Sequence, residues 1–91
     1  MSKKIRIKDE NGARRELLRA ARMQIKAAWL LKQGDRKNGV EVYHASAAHC
    51  WAAMEFIFAY CPNDQEMLRL LFLLTLSGVR IEAKFNLRKE G

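Results

Sequence analysis

The sequence contains few cysteines, and their spacing argues against a disulfide-stabilised fold. There are only two, Cys50 and Cys61, eleven residues apart. On one helix they would be about 16 Å apart along the axis, well beyond the roughly 4.4–6.8 Å between Cα atoms that a disulfide spans. We therefore expect two free thiols. This fits a reducing compartment, and we expect a cytoplasmic protein.

Proline, glycine and long apolar runs are also scarce. One proline and five glycines in 91 residues leave no linker-like segment, so residues 1–91 are interpreted as a single small globular domain. Apolar runs such as residues 70–74 are far too short to span a bilayer. The basic start, MSKKIRIKDE, lacks the apolar stretch of a signal peptide. We expect no membrane association.

The chain lacks a recognisable catalytic or metal-binding pattern. His44 and His49 are five residues apart, about 140° around a helix, and so share no ligand-binding face; His49 is expected to be a neutral core histidine bonded to the backbone. Neither Cys50 nor Cys61 has a cation within one turn to stabilise a thiolate. No phosphate-binding loop or serine nucleophile elbow occurs. We expect no enzyme activity, metal, cofactor or small-molecule substrate.

Three helices are predicted, at about 13–33, 40–61 and 63–77. The central segment, VEVYHASAAHCWAAMEFIFAYC, is apolar on almost every side, which is typical of a helix surrounded by other elements. It ends before Pro62, because the residue before a proline disfavours helical backbone. Asn63 is predicted to cap the third helix, with Glu66 completing a capping box. Gly78 is expected to end that helix.

Short strands are predicted at both termini. Residues 79–88 alternate apolar and polar side chains without exception, a period typical of a strand. A weaker alternation covers residues 3–8. These strands pair either with each other or across a dimer, so the pattern favours a homodimer. The predicted class is α+β, predominantly helical.

Positive charge is concentrated in the first part of the chain. The net charge is +7 overall, with +8 in residues 1–39, −3 in residues 40–77 and +2 in the remainder. Four cations of the first helix fall within about 60° of arc, and Trp29 lies beside them. The predicted binding residues are Arg15, Arg19, Arg22, Lys26, Trp29, Lys3, Lys4, Arg6 and Lys8.

Two functions fit this pattern. The first is a small non-enzymatic accessory or regulatory protein, of the bacterial, phage or plasmid kind by its size, that binds nucleic acid or an acidic surface of a nucleoprotein complex through the basic first helix. The alternative is a protein–protein interaction module, an inhibitor or assembly adaptor, that uses the edge of the C-terminal strand and the apolar surface of a helix.

Overall fold

Three helices account for most of the residues that the computed structural model describes, 5–87. They are α1 (Glu10–Lys32), α2 (Arg36–Tyr60) and α3 (Gln65–Phe85). The first two form an antiparallel pair joined by a tight turn. The third runs parallel to α1, since Arg14 near the start of α1 forms an ion pair of 2.8 Å with Glu66 near the start of α3. The predicted predominance of helix is confirmed.

Neither terminal strand is present in the described part of the chain. Residues 79–85, predicted as strand, form the last two turns of α3. The helix ends at Asn86, whose φ of 58° places it in the left-handed region. Residues 5–8 have no regular structure, and Lys3, Lys4 and Arg88 lie outside the described residues. The strand-based argument for a homodimer therefore no longer holds.

A spacing that alternates between four and three residues explains how the helices pack. The buried residues of α1 follow it throughout, and their partners on α2 and α3 do the same with few interruptions. This is the spacing of helices that pack along a seam. The buried residues are Ala13, Leu17, Ala20, Gln24, Ala27 and Leu31 of α1, Gly39, Tyr43, Ser46, Ala53 and Ile57 of α2, and Met67, Leu71, Leu74 and Gly78 of α3.

Small residues at every seventh position let α1 and α2 approach closely. Ala20 and Ala27 alternate with larger side chains on α1, and Gly39 and Ser46 do so on α2. A Cβ atom placed on Gly39 would lie only 2.7 Å from Cγ of Leu31. The α1–α2 pair is therefore the most closely packed part of the fold, and α3 packs against it with an open groove on either side.

The ends of the helices follow familiar capping rules, with some boundaries displaced from the prediction. Asp9 caps α1 by accepting a hydrogen bond of 2.8 Å from the backbone N–H of Gly12. After α1, the N–H of Gly34 donates to Leu31 and that of Asp35 donates to Leu30, which is a Schellman motif. Gly34 supplies its positive φ of 90°. This turn lets α2 begin four residues earlier than predicted.

The α2–α3 connection follows the proline prediction but not the capping prediction. Helix α2 ends at Tyr60, just before the Cys61–Pro62 bond, as predicted. The cap of α3 is Asp64 rather than Asn63: its carboxylate accepts a hydrogen bond of 3.1 Å from the N–H of Met67. A carboxylate at this position also interacts favourably with the helix dipole.

Polar side chains from all three helices meet at Gly78. The Gln24 amide donates to the carbonyl of Leu74 (3.0 Å). The Tyr43 hydroxyl donates to the carboxylate of Glu82 (2.7 Å) and lies 3.2 Å from the carbonyl oxygen of Gly78. A Cβ at Gly78 would lie 3.2 Å from the Gln24 amide nitrogen. The prediction that Gly78 ends the helix is wrong. Gly78 lies inside α3, where the absence of a side chain lets Gln24 and Tyr43 approach closely.

The buried Tyr43 hydroxyl predicts a loss of stability in alkaline solution. Burial, followed by the hydrogen bond to Glu82, raises the pKa of Tyr43 above its ordinary value. The unfolded chain releases this proton near pH 10, so the stabilising contribution is complete below that pH and declines above it. Denaturant unfolding between pH 8.5 and 11.5 should show a steeper loss for the wild type than for Tyr43→Phe. Equal slopes would contradict this assignment.

The last turn of α3 is held by a residue from the start of α2. The Arg36 guanidinium donates to the carbonyls of Phe85 (2.9 Å) and Asn86 (3.4 Å). Leu87 then folds back and is buried in a small cluster with Ala27, Leu31 and Tyr43. A cation placed on terminal carbonyls stabilises a helix C-terminus.

Helix α2 is not enclosed on all sides, contrary to its apolar sequence. Trp51 is 60% exposed, Phe58 58% and Tyr60 75%. Among the described residues, no helix has both the length and the apolar composition needed to cross a membrane.

Candidate functional site

The four cations predicted on the first helix share one exposed face of α1. Arg15, Arg19, Arg22 and Lys26 are all exposed. None of them has an ion-pair or hydrogen-bond partner within residues 5–87. Their Cα atoms extend over about 16 Å of the helix axis. We call these four residues the basic face.

The N-terminal segment brings further positive charge to one end of the basic face. Arg6 and Lys8 are exposed, and both line a depression with Arg15. The same depression includes Asp9 and Glu16. Asp9 accepts the hydrogen bond of its helix cap, and Glu16 contacts His49. Within residues 5–87, neither carboxylate forms an ion pair with the cations of this depression. Lys3 and Lys4 were also predicted here, but they lie outside the described residues.

Trp29 lies at the opposite end of the basic face. It is 59% exposed and borders a depression between α1 and α3. Seven residues separate it from Arg22, so both side chains leave the same side of the helix. The charged residues that line this depression with Trp29 are all cations: Lys32, Arg80 and Lys84. Sequence reasoning had not connected the C-terminal cations with Trp29, because it assigned them to a strand.

Exposed apolar side chains adjoin the cations, which the sequence analysis did not anticipate. Leu18 is 42% exposed and Ile25 71%. Together with Trp29 they follow the spacing i, i+7, i+11, which forms a continuous ridge beside the basic face. That spacing can be recognised in the sequence, but the sequence does not show which apolar residues of this helix stay exposed. The surface of α1 is therefore both cationic and apolar.

Next to this ridge, α1 and α3 enclose an apolar groove of about 410 Å³. Ala21, Ile25 and Ala28 line it on the α1 side, and Leu70 and Leu73 on the α3 side. The cations of the basic face do not line this groove. The molecule therefore has two distinct adjoining surfaces, one cationic and one apolar.

The two histidines lie in different surroundings. His49 does not bond to the backbone as expected; its Nδ1 contacts the carboxylate of Glu16 on α1. His44 is exposed and makes an edge contact with the ring of Tyr43. His49 meets this carboxylate because Glu16, two turns into α1, faces α2 rather than solvent.

Both thiols are free and poorly suited to act as nucleophiles. Burial raises the pKa of Cys50. Burial, followed by the negative charges of Glu10 and Asp64, raises the pKa of Cys61. A nucleophilic cysteine needs the opposite shift, because the thiolate is the reactive form.

Within residues 5–87, no three His, Cys, Asp or Glu side chains are grouped as metal ligands. The chain matches no protein-family model, no curated protein and no solved structure. The function is therefore inferred from the geometry of the basic face and its neighbouring apolar surface.

Proposed function

We propose that the protein is a small non-enzymatic accessory or regulatory protein that binds nucleic acid or an acidic surface of a nucleoprotein complex. The observation that carries this proposal is the basic face: four exposed cations on one helix, none of which has an ion-pair or hydrogen-bond partner within residues 5–87. Like charges held together at a surface attract polyanions and raise their association rate. The cations that contact the anionic partner are Arg15, Arg19, Arg22 and Lys26.

Two neighbouring features support a nucleic-acid partner in particular. Arg6 and Lys8 extend the positive surface past Arg15, so the backbone of a nucleic acid would meet cations beyond the helix itself. Trp29 offers an exposed ring on which an unpaired base can stack. Contacts of this kind bind the backbone and provide little base specificity.

A direct experiment is purification of the full chain at low and high salt, with absorbance recorded at 260 and 280 nm. We expect co-purifying nucleic acid at low salt and clean protein at high salt, because phosphate contacts are weakened by salt. If the protein carries no nucleic acid at either salt concentration, the proposal of nucleic-acid binding is wrong. Capture of an acidic protein at low salt but not at high salt would then show that the partner is an acidic protein surface.

Replacing Trp29 tests whether stacking contributes. We expect Trp29→Ala to weaken binding to a labelled single-stranded oligonucleotide about tenfold, within the range for loss of one base stack. Fluorescence anisotropy measures this effect. Trp51→Ala is the matched control, because Trp51 is 60% exposed, nearly the same as Trp29, but lies on α2. An equal loss in both variants, or none in Trp29→Ala, would exclude stacking at Trp29.

The alternative, a protein–protein interaction module, is favoured by a different observation. Four large apolar residues on α3 are substantially exposed: Phe72, Leu73, Leu76 and Val79. Patches of this kind commonly mark interaction sites. The part of this alternative that relied on a strand edge is withdrawn, since residues 79–85 are helical; the apolar helix surface remains.

A further inference from the structure

The depression between the C-terminal ends of α1 and α3 combines an exposed aromatic ring with cations from both helices. Trp29 and Lys32 line it on the α1 side, and Ser77, Arg80 and Lys84 line it on the α3 side. We call it the Trp29 depression. Its volume of about 310 Å³ falls within the roughly 300–1,000 Å³ of small-molecule sites. The charged residues that line it are all positive, so it attracts an anion.

The cations of the Trp29 depression are not needed to cap the two helices. Lysine and arginine side chains in the last turn of a helix often bond its terminal carbonyls. At the end of α3, however, the Arg36 guanidinium already donates to these carbonyls. At the end of α1, the carbonyls of residues 29–31 accept from backbone N–H groups of the following turn. Within residues 5–87, Lys32, Arg80 and Lys84 form no ion pair or hydrogen bond, so their charge is available to a ligand.

The two tryptophans of the chain differ in the charges around them. Trp51 is 60% exposed and donates its indole N–H to the carboxylate of Glu55 (3.0 Å). Trp29 is 59% exposed, but the charged residues that share its depression are cations. A carboxylate repels a phosphate and a cation attracts it. Trp29 is therefore the ring that suits a ligand with both an aromatic and an anionic part.

A hydroxyl group adds a hydrogen-bond donor to the Trp29 depression. Within a helix, serine and threonine side chains commonly bond the carbonyl four residues earlier. Thr75 does so, with a hydrogen bond of 2.9 Å to Leu71. Ser77 lines the depression and forms no hydrogen bond within residues 5–87. Its hydroxyl is free to donate to a phosphate oxygen.

We propose that the Trp29 depression binds one nucleotide of a single-stranded nucleic acid, with its base on the Trp29 ring and its phosphate among Lys32, Arg80 and Lys84. The ring and the cations select this ligand together, since inorganic phosphate would leave the ring unused and a neutral aromatic molecule would leave the cations unused. Stacking and charge-assisted hydrogen bonds both contribute to affinity.

The Trp29 depression continues the surface formed by the basic face. Lys26 of the basic face lies three residues before Trp29, about 4.5 Å along the helix axis, so the two are neighbours on the helix surface. A strand that follows the basic face therefore reaches the depression, and its phosphate there meets cations of α3. The inference rests on the proposed function and extends the nucleic-acid contact from α1 to α3.

Anisotropy of a labelled single-stranded oligonucleotide at 0.1 M salt tests the contribution of α3. Arg80→Ala/Lys84→Ala should weaken binding about tenfold, since loss of one phosphate contact removes nearly one power of salt dependence. Lys37→Ala/Arg69→Ala is the matched control: it also removes one lysine and one arginine, both exposed, and neither lines the depression. It should lose less than about fivefold. Arg80→Lys/Lys84→Arg keeps both charges and should bind like the wild type.

Tryptophan fluorescence separates a nucleotide of a strand from a free nucleotide. The chain has two tryptophans, so Trp51→Phe leaves Trp29 as the emitting residue. Adenosine 5′-monophosphate should quench Trp29 at concentrations about tenfold lower than adenosine does, and Arg80→Ala/Lys84→Ala should remove this difference. The oligonucleotide should quench at concentrations at least about a hundredfold lower than the monophosphate, because it also contacts the basic face.

The outcomes distinguish failure of this inference from failure of the proposed function. If Arg80→Ala/Lys84→Ala binds the oligonucleotide like the wild type while Arg15→Ala/Arg19→Ala is weakened, the Trp29 depression is not a nucleotide site, although the basic face still binds nucleic acid. Equal quenching by adenosine and its monophosphate would likewise overturn the inference. A monophosphate that binds as tightly as the oligonucleotide would contradict a strand as the ligand. If the wild type binds no oligonucleotide, both proposals are wrong.

Discussion

Gly78→Val is expected to destabilise the protein by about 3 kcal/mol, a large share of the roughly 5–10 kcal/mol typical of a domain of this size. Even a Cβ atom here lies 3.2 Å from Nε2 of Gln24 and 3.4 Å from the Tyr43 hydroxyl. A branched side chain must displace both, and it disrupts the hydrogen bonds that join the three helices. Thermal unfolding followed by circular dichroism should show a midpoint about 15 °C lower.

Ala83→Val is the control for this substitution. It places the same β-branched residue in α3, but at an exposed position. Its cost should be a few tenths of a kcal/mol, the difference in helix propensity between alanine and valine. Valine is a better helix former than glycine, so helix propensity alone would make Gly78→Val slightly stabilising. If Gly78→Val loses no more stability than Ala83→Val, the close approach of the three helices at Gly78 is not important.

Gly78 also shows why part of the fold was not predictable from local pattern. A glycine followed by strict alternation reads as a helix stop and a strand. The structure instead continues α3, because Gly78 is itself the next seam position after Leu71 and Leu74, and Ile81 and Phe85 continue the same spacing. The alternation of five apolar residues favours a strand less strongly than a buried seam of more than four turns favours a helix. The helices 13–33 and 40–61 were predictable because no strand-like alternation occurs within them.

Replacing Arg15, Arg19 and Arg22 together with alanine is expected to weaken binding to a nucleic acid about a hundredfold at 0.1 M salt. Each phosphate contact contributes nearly one power of salt dependence, so the loss of three contacts removes between two and three orders of magnitude. The thermal midpoint should change little, because the three side chains are exposed and unpaired within the described residues. Anisotropy of a labelled oligonucleotide and a parallel melting curve measure the two quantities.

The matched control replaces two exposed cations that lie away from the basic face and from Trp29, Lys37 and Arg69, with alanine. It is compared with the double variant Arg15→Ala/Arg19→Ala, in which the change in net charge is the same. We expect the control to lose less than fivefold in affinity, because general attraction weakens but the basic face is intact. Equal losses in the two double variants would mean that only net charge matters and that α1 has no special role.

The candidate site was predictable in its charges but not in its apolar part. Arg15, Arg19, Arg22 and Lys26 were placed on one face by helical geometry alone, and the structure exposes all four. The exposure of Leu18 and Ile25 was not predicted, because an apolar residue on a helix normally faces its neighbours. The actual neighbours of α1 contact a narrow seam that includes Ala20 and Ala27. The small residues of α1 lie on its buried side, and hydrophobicity alone does not identify that side.

The salt dependence of binding tests the role of the basic face most directly. The affinity of the wild-type chain for a labelled single-stranded oligonucleotide should be measured between 50 and 300 mM salt. If all four cations of the basic face contact phosphates, a plot of log affinity against log salt has a slope of about −3, and the triple alanine variant has a slope near −1. A wild-type slope close to zero, or an unchanged slope in the variant, would contradict phosphate binding by the basic face.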